Sequence, residues 1–137
     1  MVNALMRVPM RTAGWGALVF YALGLIVQVL VLVAVIPANW VNGGRAALGP
    51  QTPTSIANIL VYALAAPFVA YVSGIVGHVQ AKRWHRFVAW MLFALWTLGF
   101  VMQLLGTPFE KTVMTVILLV GVVSHLRIAV GLQRRHD

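Results

Sequence analysis

Four long apolar runs, separated by short polar segments, organise this chain. The first extends from Gly14 to Ile36, with Gln28 its one clearly polar member. The second runs from Ile56 to His78 around Asn58 and Ser73, and the third from Phe87 to Leu105 with Thr97 and Gln103. The fourth, Thr112 to Gly131, carries Thr115, Ser124, His125 and Arg127. Their lengths are 23, 23, 19 and 20 residues. About 20 helical residues cross roughly 30 Å of hydrocarbon, so each run is long enough to span a bilayer. Lipid-facing strands would alternate apolar and polar positions, and these runs do not. Backbone groups in hydrocarbon must be satisfied internally, which leaves helices. The pattern predicts an all-α polytopic membrane protein, a four-transmembrane-helix bundle in one domain over 1–137.

Breakers fall between the runs. Pro37 stops the first, and the 37–55 segment holds Gly43, Gly44, Gly49, Pro50 and Pro53, the composition of a loop. Thr54 or Ser55 is placed to cap the second helix. The connections at Gln80–Arg86 and Gly106–Lys111 are short, which predicts that spans two, three and four are sequential antiparallel neighbours. Arg7 and Arg11 ahead of an apolar run also suit a signal peptide. A signal core is about 7–15 residues, however, and no small-x-small site follows Ile36, so a retained span is expected.

Composition sharpens this reading. Of 137 residues, 61% are hydrophobic and 9% charged, against about 25% charged in a soluble domain. There is no cysteine, which excludes disulfides and thiolate sites. The net charge of +8 is not a nucleic-acid stripe, because its charges sit at the ends of the apolar runs. Arg7, Arg11, Lys82, Arg83, Arg86, Arg134 and Arg135 collect on one side, with Arg127 near it; Arg45 and Lys111 fall on the other. The positive-inside rule then puts both termini in the cytoplasm and the 37–55 loop outside, in a cell inner or plasma membrane with anionic lipids on the cytoplasmic face. Trp40, Trp84 and Trp90 lie where indoles anchor at interfaces.

Several residues carry candidate roles. Ala66, Ala70 and Gly74 recur at spacing four in span two, with Ser73 and Gly77 beside them. Small residues on one face allow close helix approach, within the chain or between copies. Pro67 should kink this helix. Gln28, Asn58, Tyr62 and Gln103 either pair within the bundle or line a small polar cavity opening outward. Arg83, Arg86 and Arg127 suit an anionic lipid or ligand, Arg127 by snorkelling. His78 and His125 fall at similar depth and could ligate haem iron or a metal, but no third ligand accompanies them and no cofactor is predicted. Glu110 and Asp137, in a loop and at the tail, are the acidic residues, so no span contains a carboxylate and paired-carboxylate chemistry has no residues. Nothing in the pattern points to an enzyme.

Pro50-Gln51-Thr52 before span two and Ser124-His125-Leu126 leading to Arg134-Arg135 give the chain an outline that resembles small four-span membrane proteins of uncharacterised function in actinobacteria. The resemblance implies the same four-span layout and no activity. Three functions stay open: an accessory subunit or homo-oligomer acting through helix packing, an oligomeric carrier or channel for a small solute, and a haem- or metal-binding protein using His78 and His125.

Overall fold

The computed structural model describes residues 7–41, 43–44, 52–77, 80 and 82–134. Its four helices are α1 (Met10–Leu32), α2 (Thr52–Val72), α3 (Arg83–Leu104) and α4 (Thr115–Arg134). A π-helical turn over Glu110–Met114 leads into α4, and a 3-10 turn covers Ala38–Trp40. All four helices are long and apolar enough to cross a membrane, and the protein is a multi-pass integral membrane protein.

The helices do not coincide with the apolar runs. Those containing the first three runs begin a full turn early, at Met10 rather than Gly14, Thr52 rather than Ile56, and Arg83 rather than Phe87. The first turn of a helix leaves N–H groups without intrahelical partners, so it suits polar interfacial residues, and the apolar pattern starts one turn late. Thr54 and Ser55 therefore lie inside α2 instead of capping it, and Ser55 is fully buried.

The far ends move as well. α1 stops at Leu32, where Ala34 takes φ 59° and the Val35 and Ile36 N–H groups donate back to the Leu30 carbonyl. α2 stops at Val72, not His78. Gly74 adopts φ 76° and Gly77 φ 75°, and the Ile75 and Val76 N–H groups donate to the Ala70 carbonyl. Gly74 terminates the helix and Gly77 lies beyond its end, so neither is a member of a helical face. Of the small residues expected to pack, Ala66 and Ala70 remain on α2, both half-buried. Ser73 makes the close approach, seated against Gly14 of α1, where a Cβ would overlap its side chain.

α1 organises the bundle. Gly14, Ala17, Tyr21, Gly24, Gln28 and Val31 are all buried and follow alternating steps of three and four, a heptad seam. α1 packs against α2 and α4, and α4 against α3. The backbones of α2 and α3, expected to be close neighbours, are not closely packed; rings join them instead. Tyr62 stacks on Trp96 with centroids 5.4 Å apart, and Phe68 meets Trp84 at 5.9 Å. Small residues on α1 admit close neighbours, whereas bulky rings between α2 and α3 hold their axes apart.

Candidate functional site

Where α2 and α3 are propped apart, a cavity of about 270 Å³ opens at the end of the bundle that carries the 38–44 loop. Gln28 of α1, Asn58 and Tyr62 of α2, and Gln103 of α3 all line it, so residues far apart in sequence converge on one space. Helix register explains the convergence. Asn58 and Tyr62 are four residues apart on one face of α2, and Gln28 occupies the heptad seam of α1. Gln28 is only 8% exposed, yet its amide makes no hydrogen bond to a described residue. The Gln103 Oε1 is likewise buried without a partner. An unpaired, fully buried polar atom costs about 1–3 kcal/mol, which makes Gln103 an expensive feature for a purely structural bundle.

Glu110 is the lining residue that the loop reading missed. It is 3% exposed, at the head of the fourth span. Thr107 and Glu110 form a reciprocal cap: the Thr107 N–H donates to Oε2 at 2.7 Å, and the Glu110 N–H donates to Thr107 Oγ1 at 3.3 Å. The Thr-Pro-Phe-Glu string is a capping-box sequence with proline at the first helical position, so the signal was present. Both carboxylate oxygens also accept the Gly43 N–H, each at 3.1 Å. The Thr107 hydroxyl donates to the Trp40 carbonyl. One carboxylate thus ties the α1–α2 loop to the α3–α4 connection and brings an acidic group to the cavity.

The cavity floor belongs to an aromatic core. Phe20, Tyr21, Tyr62, Trp96 and His125 lie with neighbouring ring centroids 5.0–6.2 Å apart. His125 Nδ1 is 2.7 Å from the Gly121 carbonyl, which can only accept, so Nδ1 carries the proton. Nε2 is then an acceptor, and the Tyr21 hydroxyl donates to it at 2.6 Å. Both ring nitrogens of His125 are occupied by protein partners. His78 lies outside the described residues, and among the described residues no three His, Cys, Asp or Glu side chains come together as a metal site.

The basic candidates separate. Arg127 is turned inward, 7% exposed, and its Nε donates to the Val8 carbonyl at 2.7 Å, which fastens the start of α1 to α4 in place of the snorkelling expected of it. Arg83 is exposed and Arg86 half-buried at the start of α3. Beside them His85, overlooked as a turn residue, is 2% exposed; its Nδ1 accepts the Lys82 N–H at 3.0 Å and its ring packs on Trp84 and Tyr71. It caps α3 and closes the α2–α3 corner.

Compared with protein-family models, curated proteins and solved structures, the chain has no match.

Proposed function

We propose that this protein binds a small solute within the membrane and acts as a carrier or channel subunit for it. The observation that carries this reading is the convergence of Gln28, Asn58, Tyr62 and Gln103 on one cavity, with the Gln103 Oε1 buried and unpaired among the described residues. At about 30 Å³ per water, the space corresponds to roughly nine water-sized volumes, which is enough for a small metabolite-sized molecule. Four spans are too few for most single-chain alternating-access architectures with inverted repeats, so a homo-oligomer completes the pathway. The basic end, with Arg7, Arg11, Lys82, Arg83, Arg86 and Arg134, faces the cytoplasm and its anionic lipids, and the cavity end faces outward.

Proteoliposomes containing the full chain test this by stopped-flow light scattering after osmotic shock with urea, glycerol or choline chloride. At least one solute should equilibrate faster than in protein-free vesicles, and Gln28→Leu should remove the difference. Rates equal to protein-free vesicles for all three solutes would refute transport.

A further inference from the structure

The geometry points to a small organic cation, an ammonium with an apolar body, as the occupant of this cavity. The inference rests on the solute-binding reading above and names the chemical class.

Three features select that class. First, charge: among the described residues Glu110 is the one acidic side chain lining the cavity, no Lys, Arg or His lines it, and no ion pair joins Glu110 to another of them. An anion would meet a carboxylate with no compensating base. Second, ring surface: Tyr62 and Trp96, stacked on each other at 29°, both line the space. The faces of tyrosine and tryptophan attract ammonium groups within about 6 Å of the ring centroid, and desolvation strengthens the attraction. Third, the remaining wall is apolar, including Val27, Leu95, Met102 and Leu118. A bare metal ion needs several oxygen ligands in place of such a wall, whereas an alkylammonium is matched by it. The Gln28, Asn58 and Gln103 amides then accept hydrogen bonds from, or orient, polar groups on the same molecule.

The location agrees. The cavity lies at the end away from the Arg83, Arg86 and Arg134 cluster, so a cation approaches without crossing it; Lys111, the described basic residue at this end, is exposed and does not line the cavity. The Glu110 oxygens accept N–H bonds from Gly43 and Thr107, which hold the carboxylate in place while it balances the charge of a bound cation.

Isothermal titration calorimetry on the full chain in a non-ionic detergent tests the class. The probes are choline and its neutral isostere 3,3-dimethylbutan-1-ol. Choline should bind at least about tenfold tighter, in line with the range for a desolvated cation on a ring. Glu110→Gln should abolish the preference. Because Glu110→Gln also disturbs the cap, Tyr62→Leu serves as the second variant. It leaves the Glu110 hydrogen bonds intact and should weaken choline more than the alcohol. Equal binding of the two probes in the wild type, or a preference unchanged by both variants, overturns the cation assignment and leaves solute binding standing. If neither probe binds, the cation assignment falls, and the urea and glycerol arms of the vesicle assay decide the solute-binding reading.

Discussion

The Tyr21 hydroxyl and His125 Nε2 are joined by a 2.6 Å hydrogen bond between residues 104 positions apart, and this bond locks α1 to α4 inside the aromatic core. Removing the hydroxyl leaves a buried imidazole nitrogen unpaired. Tyr21→Phe should therefore destabilise the protein by about 0.6–1.7 kcal/mol, the range for interhelical hydrogen bonds in membranes. Thermal unfolding in detergent measures it. Combined with His125→Phe, the losses should be less than additive, because either change removes the same bond. Strict additivity would mean that the two side chains do not interact.

Glycines in two settings should respond differently to alanine. At Gly121 an added Cβ would lie 2.8 Å from the Phe20 ring, an overlap in the core costing about 1–3 kcal/mol. At Gly74 nothing lies within 4 Å, but φ 76° penalises any Cβ by about 1–2 kcal/mol. Phe20→Leu should relieve Gly121→Ala and leave Gly74→Ala unrelieved. Unfolding midpoints of the three single and two double variants decide this. Rescue of both, or of neither, contradicts the distinction between crowding and backbone strain.

Glu110 holds two connections together, so its loss should be felt in both. Glu110→Ala removes acceptors from the Gly43 and Thr107 N–H groups and costs the helix cap about 0.5–2 kcal/mol. Hydrogen exchange should accelerate at both amides at once, with little change at Lys82, whose N–H is held by His85 at the opposite end. Unchanged exchange at Gly43 would show that the carboxylate does not anchor that loop.

The four spans could be read from the sequence because hydrocarbon imposes a length and an apolar composition that no loop here imitates. The polar lining was legible for a related reason: an amide in an apolar run is conspicuous, and Gln28, Asn58, Tyr62 and Gln103 stood out one by one. Their convergence was not legible, since it depends on which helices touch. Short connections suggested that α2 and α3 pack closely, but Tyr62, Trp96, Phe68 and Trp84 fill the space between them. The central place of α1 was written in its heptad of Gly14, Ala17, Tyr21, Gly24, Gln28 and Val31, where two glycines are outnumbered by larger residues and a search for small-residue stripes passes over the seam. Small-residue spacing points instead to Ala66, Ala70, Ser73, Gly74 and Gly77, and no spacing rule reveals the positive φ values of the two glycines. Glu110 was discounted because a carboxylate in a short turn reads as solvated; its capping-box partner Thr107 and the Gly43 loop bury it.

Gln28 separates ligand binding from packing. Its amide makes no hydrogen bond to a described residue, so Gln28→Leu should leave stability unchanged or raise it, because no such bond is lost. A packing glutamine would behave oppositely and lose stability. Unfolding of the variant in detergent, without added solute, distinguishes the two.

The central claim is that a polar, solute-accessible cavity penetrates this bundle, and the absence of cysteine from the sequence makes it directly measurable. Single substitutions Gln28→Cys and Asn58→Cys, with Leu64→Cys and Val116→Cys as lipid-facing controls, can be labelled in vesicles with a hydrophilic cationic methanethiosulfonate. Leu64 and Val116 are 75% and 62% exposed on the protein surface and do not line the cavity, whereas Gln28 is 8% exposed and lines it. The account predicts rapid labelling at Gln28→Cys and Asn58→Cys and slow labelling at both controls. Labelling of Gln28→Cys as slow as that of Leu64→Cys would contradict it.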